Sequence, residues 1–311
     1  MDIAIRIKNL PPYLFAEIEK KIEVARKNGR DIIDLGIGDP DLPTPEFIVQ
    51  RLCSEAIRPE NHRYPSYRGL PAYREAAANW YAERFGVDFD PHREVVSLIG
   101  SKEGIAHFSW CLVNPGDIVL ASDPGYPVYK TSTMMAGGIP LELPLLKKNN
   151  FLPDFTQFPE SVLERTKLVF INYPNNPTGA VAPLDFFRDI VELAHRYDFV
   201  IAHDLAYSEV SYDGYRAPSI FQVEGAREVA IEFHSLSKTF NMTGWRIGFA
   251  VGNEKLVEAL GRMKTNIDSG IFNAIQWAGT EALSHVDEVL RTILPIYTRR
   301  RNVVVNAFRS L

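Results

Sequence analysis

Lys238 stands in HSLSKTFNMTGWRIG (234–248), between Ser237 and Thr239, with Ser235 before it and Arg246 after it. The apolar run VAIEF (229–233) leads into this stretch. A lysine held out of water can lose its proton and act as an amine nucleophile. Other residues with chemical potential also follow apolar runs. Ser101 and Lys102, in SKEG, come after EVVSLIG and open a helical pattern, where unpaired backbone N–H groups favour an anion. Tyr126 lies in DPGYPVY, after DIVLAS. Asn176 lies in YPNNPTG (173–179), a stiff turn that would fix an amide. Asp204 closes FVIAHD and Tyr207 follows it. A carboxylate at the end of a buried strand is costly without a positive partner. Alone, each has an ordinary reading: a solvated loop for Lys238, capping for Ser101 and Asp204, turn packing for Tyr126 and Asn176.

Together these residues specify a ligand. Ser101, Ser235, Ser237 and Arg246 supply donors for a dianionic phosphate, Arg246 in bidentate fashion. Asp204 suits a protonated ring nitrogen, and Tyr126 suits stacking on an aromatic ring. Asn176 and Tyr207 suit hydrogen bonds to a phenolic oxygen. Lys238 supplies the amine for a Schiff base with an aldehyde. Pyridoxal 5′-phosphate meets every one of these demands. Neither GxxxxGK[ST] nor GxGxxG accompanies SKEG, so it is neither a Walker A nor a dinucleotide fingerprint.

The elements that must position these groups are legible as an alternation. EVVSLIG (94–100), DIVLAS (117–122), KLVFIN (167–172), FVIAHD (199–204), VAIEFH (229–234) and IGFAVG (247–252) read as buried strands. KEGIAHFSWCLV (102–113) and LDFFRDIVELAHRY (184–197) read as helices between them. The pattern predicts a mostly parallel sheet covered by helices on both faces, with ligands beyond the carboxyl ends of its strands. Residues 13–28 read as an amphipathic helix, and 285–311 as another with Pro295 as a kink.

YPSYRGL (64–70), SKEG (101–104), DPGYP (123–127), NNPTG (175–179), DLAY (204–207) and SLSKTFNMTGWRIG (235–248) occur in one order across most of the chain. In these motifs the sequence resembles the fold-type I, class I/II pyridoxal-phosphate aminotransferases. The resemblance implies an α/β fold: three layers, α/β/α, around a mostly parallel seven-stranded sheet, aspartate-aminotransferase-like, plus a smaller, incomplete α+β domain from the two chain ends. It divides the chain into residues 1–40 (arm and part of the small domain), 41–284 (large cofactor domain) and 285–311 (a linking helix into a truncated small domain).

By the same resemblance Lys238 is the catalytic lysine. Tyr64, Ser101, Lys102, Tyr126, Asn176, Asp204, Tyr207, Ser235, Ser237 and Arg246 bind the cofactor. Tyr64 reaches the phosphate of a neighbouring subunit, which implies a homodimer with shared sites. Gly38, in LGIGDPD, lies beside the substrate carboxylate. LIGSKEGIAH and DPGYPVY are most similar to the LL-diaminopimelate branch of the family, with Tyr13, Lys102 and Asn273 as substrate contacts. That branch exchanges the amino group of LL-2,6-diaminopimelate with 2-oxoglutarate, on the route to lysine. Aminotransferases for aspartate, alanine or aromatic amino acids, and C–S β-lyases, share most of these motifs. The family takes the substrate α-carboxylate with an arginine near its C-terminus. Arg291, Arg299, Arg300 and Arg301 do not match that motif. The expectation is therefore a C-terminally truncated chain, with cofactor binding but impaired transamination if Leu311 is its natural end.

Composition narrows the partners. Of 311 residues, 46% are hydrophobic and 23% charged, which suits a folded globular chain. A net charge of −5 gives no bulk attraction to nucleic acid or an anionic membrane. No signal peptide and no membrane span is visible, so a cytoplasmic location is expected. Seven histidines show no metal-ligand spacing, and His203 and His234 fall in strand runs, so no metal is expected. Cys53 and Cys111 are expected to be buried apolar residues.

Overall fold

The computed structural model describes residues 1–12, 14–36 and 38–310. Tyr13, a candidate substrate contact, lies outside the described residues. Seven strands form one sheet: β1 (Val95–Leu98), β2 (Ile118–Asp123), β3 (Ile139–Pro144), β4 (Thr166–Asn172), β5 (Val200–Asp204), β6 (Ala230–Ser235) and β7 (Gly248–Gly252). Their order is β1-β7-β6-β5-β4-β2-β3. Every pairing is parallel except those of β7, which runs against both β1 and β6.

The helices are α1 (Ile5–Lys8), α2 (Leu14–Lys27), α3 (Glu46–Ala56), α4 (Pro71–Phe85), α5 (Ser101–Leu112), α6 (Val128–Ala136) and α7 (Glu160–Leu163). They continue as α8 (Leu184–Tyr197), α9 (Ala226–Val229), α10 (Leu236–Thr239), α11 (Glu254–Lys264), α12 (Asn273–Leu283) and α13 (Val286–Arg309). Strand side chains alternate between the sheet's two faces. Val96, Leu98, Phe170, Ala202 and Phe233 pack against Ile105 and Phe108 of α5, Tyr129 of α6 and Leu260 of α11. Val95, Val169, Ile201 and Phe249 pack with Tyr73 and Tyr81 of α4, Phe187 and Ile190 of α8, and Ala278 of α12. The result is the expected three-layer arrangement, with an apolar core on each side of the sheet. Where described, the two ends of the chain carry α1, α2 and α13 as their regular elements, separated by irregular segments.

The register decides what the sheet edge presents. Asp204 lies opposite Asn172 on one side and Phe233 on the other. Ser235 and Leu98 both lie opposite Gly248. Because β7 is reversed, the segment entering it, with Arg246, arrives at the edge where β1, β2, β4, β5 and β6 end. α13 carries Pro295 within its span. It is tied to the body by Tyr297 Oη donating to Asn241 Oδ1 (3.2 Å), by Arg300–Asp41 and by a two-pronged Arg301–Asp213 contact. Neither cysteine is fully buried as expected: Cys111 is half-buried on α5 and Cys53 is exposed on α3.

Candidate active site

A cavity of about 370 Å³ opens at the carboxyl edge of the sheet. Its lining includes Gly38, Ser101, Lys102, Tyr126, Asn176, Asp204, Tyr207, Ser235, Ser237, Lys238 and Arg246. Eleven sequence candidates are thus brought together. Tyr64 and Asn273 are not among the lining residues. Tyr64 is 89% exposed at the surface, and Asn273 is buried at the start of α12, beside Gln276. A larger hollow, of about 930 Å³, is lined only by α13 residues and holds none of the candidate site residues.

Lys238 sits on α10, whose N-cap Ser235 accepts the Ser237 N–H through its side chain. The half-buried ammonium donates to the Gly38 carbonyl (2.7 Å). Burial lowers its pKa and so does the charge of Arg246, while Asp39 opposes them. Arg246 occupies the left-handed region (φ 54°) and donates to the Thr243 carbonyl (2.8 Å). Its guanidinium lies where a side chain at Gly100 would stand, and the positive φ of Gly100 (74°) is what favours glycine there. Gly100 is the N-cap of α5 and no side chain caps the helix, which leaves its first N–H groups for an anion. Lys102 Nζ lies 5.8 Å from the centre of the Tyr126 ring.

Asp204 is the buried acid of the cavity. Its Oδ2 accepts from Tyr129 Oη (2.8 Å), but its buried Oδ1 has no partner. Burial pushes this carboxyl up from 3.8 to about 6, against the hydrogen bonds from Tyr129 and the Ala206 N–H. An orphaned carboxylate oxygen of this kind fits a protonated ring nitrogen. Asn172 Nδ2 donates to the Asp204 carbonyl (2.7 Å), and Asn172 Oδ1 accepts the Asn176 N–H (2.6 Å), joining the ends of β4 and β5 to the NNPTG turn. Burial and the charge of Asp204 push Tyr207 up to about 12, while a hydrogen bond with Asn176 opposes them.

Tyr129 and Asn172 escaped the sequence reading. Tyr129 lies one turn beyond Tyr126 on α6, so the spacing was available, but nothing pointed to which tyrosine would face Asp204. Glu19, Gly36, Asp39, Ala206 and Thr243 also line the cavity; all but Glu19 lie within motifs quoted above, though none was singled out.

The sequence model of the family "Aminotransferase class I and II" matches residues 30–311. The chain belongs to this family of aminotransferases, enzymes that as a class depend on pyridoxal phosphate. It is 56% identical over 311 residues to LL-diaminopimelate aminotransferase of Halothermothrix orenii, covering 100% of this chain and 80% of that protein. It is 58% identical to the enzyme of the same name from Moorella thermoacetica, with the same coverage. Among solved structures, a single mutant of Thermus thermophilus aspartate aminotransferase superposes with a TM-score of 0.93 at 27% identity, covering 100% of this chain and 81% of that one.

Proposed function

We propose that this chain binds pyridoxal 5′-phosphate in the cavity and transfers the amino group of LL-2,6-diaminopimelate to 2-oxoglutarate, giving tetrahydrodipicolinate and glutamate. The observation that carries the cofactor reading is the buried, unpartnered Oδ1 of Asp204 in a cavity shared with Lys238 and Arg246. The substrate reading rests on identity above one half, over the full chain, to relatives that bear this activity in their names.

Bound pyridoxal phosphate supplies an aldehyde and an electron-withdrawing ring. The chain supplies the rest. Ser101, the Lys102 backbone, Ser235, Ser237 and Arg246 would hold the phosphate. Asp204 would keep the ring nitrogen protonated, with Tyr129 fixing the carboxylate from the other oxygen. Tyr126 would stack on the ring, and Asn176 and Tyr207 would bind its phenolic oxygen. Lys238 would carry the proton that moves during transfer, because burial holds its Nζ below the ordinary amine range. Gly38 and Lys102 would contact the substrate, and Tyr64 would serve the site of a second subunit in a homodimer.

Transamination with 2-oxoglutarate should favour LL-diaminopimelate over aspartate, alanine and tyrosine in kcat/KM. Preference for any of those three would overturn the substrate assignment and leave the cofactor assignment standing.

A further inference from the structure

Behind the anion-binding turn lies a buried charge cluster that the mechanism does not use. Lys264, at the end of α11, has a side chain with 0% exposure. Its Nζ lies 3.1 Å from Glu103 Oε2 and 3.2 and 3.1 Å from the two oxygens of Asp268. Glu103 Oε2 also accepts the Ile99 N–H (2.9 Å), and Glu103 Oε1 accepts from His107 Nδ1 (2.7 Å). Glu103, His107 and Asp268 are the group among the described residues whose ligand atoms lie close enough for a metal ion. The ammonium of Lys264 already stands among these carboxylates as their cation.

The geometry points to Lys264 as a positioning residue that fixes the phosphate-binding turn and cancels the field of Glu103 on it. The inference rests on the proposed cofactor reading. Glu103 is in the first turn of α5 and reaches back past the uncapped Gly100 to hold Ile99. It therefore pins the turn that carries Ser101 and Lys102. A carboxylate at that place also competes with any anion bound at the same helix end. Lys264 removes this conflict by pairing with Glu103 from the core side. Burial raises the Glu103 carboxyl, but the bonds from His107 and Ile99 and the charge and bond of Lys264 outweigh it, and the group stays below its ordinary range. Glu103 is thus an anion that needs its counter-charge.

Lys264 also reaches a second edge. Asp268 Oδ1 accepts the Gly270 N–H (2.8 Å). Gly270 (φ 85°) packs so closely on the 65–66 loop that a Cβ there would stand 3.1 Å from the Ser66 carbonyl oxygen and 3.2 Å from Pro65 Cγ. Tyr64, proposed to serve the neighbouring site, adjoins that loop. One buried ammonium thus joins the turn that holds this subunit's phosphate to the loop offered to the other's.

The test uses the cofactor-free full chain with two probes, inorganic phosphate and pyridoxal 5′-phosphate, plus unphosphorylated pyridoxal as a control. Lys264→Met should weaken binding of both phosphorylated probes about tenfold, because Glu103 is left uncompensated. Glu103→Gln keeps an oxygen for Ile99 but loses the charge, and should tighten phosphate about threefold. The double variant Lys264→Met, Glu103→Gln should return to within about threefold of wild type. Pyridoxal binding should be indifferent to all three. Opposite signs in the single variants are a signature that loss of packing would not produce. Should Lys264→Met fail to fold, the sign for Glu103→Gln and the recovery in the double variant still decide. Unchanged or weakened phosphate binding in Glu103→Gln, or a folded Lys264→Met chain with wild-type phosphate affinity, overturns the inference. Failure of the wild-type chain to bind pyridoxal phosphate would overturn the cofactor reading instead.

Discussion

On adjacent strands, two buried carboxyl groups point to opposite faces of the sheet. Asp204, ending β5, faces α6 and the cavity; Glu232, in β6, faces α4 and the core. Burial pushes both upward, Glu232 well above its ordinary value even though the Ile220 N–H opposes. Their partners differ. Glu232 accepts from Tyr81 Oη, Ser219 Oγ (3.2 Å) and the Ile220 N–H (3.1 Å), and lies 2.8 Å from His203 Nδ1 and 3.1 Å from His234 Nε2. Burial lowers His203 to about 3, against its bond to the Tyr173 carbonyl. Burial, then the charge that a protonated His203 would bring and that of Arg84, hold His234 well below its ordinary value. Both rings are therefore neutral. His203 Nε2–H faces the Tyr173 carbonyl (3.2 Å), so its Nδ1 must accept, and Glu232 must keep the proton it donates there. That network is closed and uncharged. Asp204 accepts from Tyr129 Oη on Oδ2 and its pKa is also lowered by the Ala206 N–H, but its buried Oδ1 has no hydrogen-bond partner. Burial and a raised pKa are common to both; the unmet acceptor is what sets Asp204 apart and what the proposed cofactor reading uses.

This contrast can be broken by experiment. Glu232→Ala should destabilise the chain by about 3–5 kcal/mol, because Tyr81, His203 and His234 lose their shared partner, while kcat of the protein that remains folded stays near wild type. Urea denaturation with parallel kinetics measures both; a large kcat loss at unchanged stability would move Glu232 into the active site. Asp204→Asn should do the reverse, lowering kcat/KM roughly 100–1000-fold without destabilising the cofactor-free chain. Equal kinetic losses in the two variants would erase the distinction.

The pH dependence sharpens it. The Asp204 pKa is raised on folding, from 3.8 to about 6. Its favourable contribution is therefore complete below pH 3.8 and is lost as pH rises through about 6. The cofactor-free chain should lose about 3 kcal/mol from this group over that range. Chemical denaturation at a series of pH values should show that slope in wild type and its absence in Asp204→Asn. The smallest effect belongs to Tyr129→Phe. Removing the donor to Oδ2 should weaken cofactor binding about tenfold, seen by titrating the cofactor-free protein; no change would mean that Tyr129 serves packing alone.

Much of this was readable in the sequence, for physical reasons. Six strands announced themselves because sheets buried on both faces demand unbroken Val/Ile runs. β3 did not: IPLELP carries two prolines and begins exposed at the sheet edge, so it lacks that pattern. The helix at 184–197 was read to the residue because its apolar positions recur at helical spacing. Cavity residues that end or follow a strand were found by the rule that ligands bind there. Asn172, which ends β4, is the exception, because a neutral amide there carries no charge whose burial would flag it, and Tyr129 was passed over because its role depends on which face of α6 meets β5. The Lys264 cluster joins residues far apart in sequence, and no local pattern encodes it.

The reversal of β7 has a thermodynamic consequence. Ser101 and Arg246 are separated by nearly half the chain. Bringing two such distant points within reach of one small anion carries a loop-closure entropy cost that grows with the logarithm of the separation. Here the cost falls on the folding of the sheet, because pairing β7 between β1 and β6 already sets both ends in place. On the proposed cofactor reading, a phosphate arriving at this edge would meet a chain whose large entropy loss lies behind it, and would bind with little further ordering to impose.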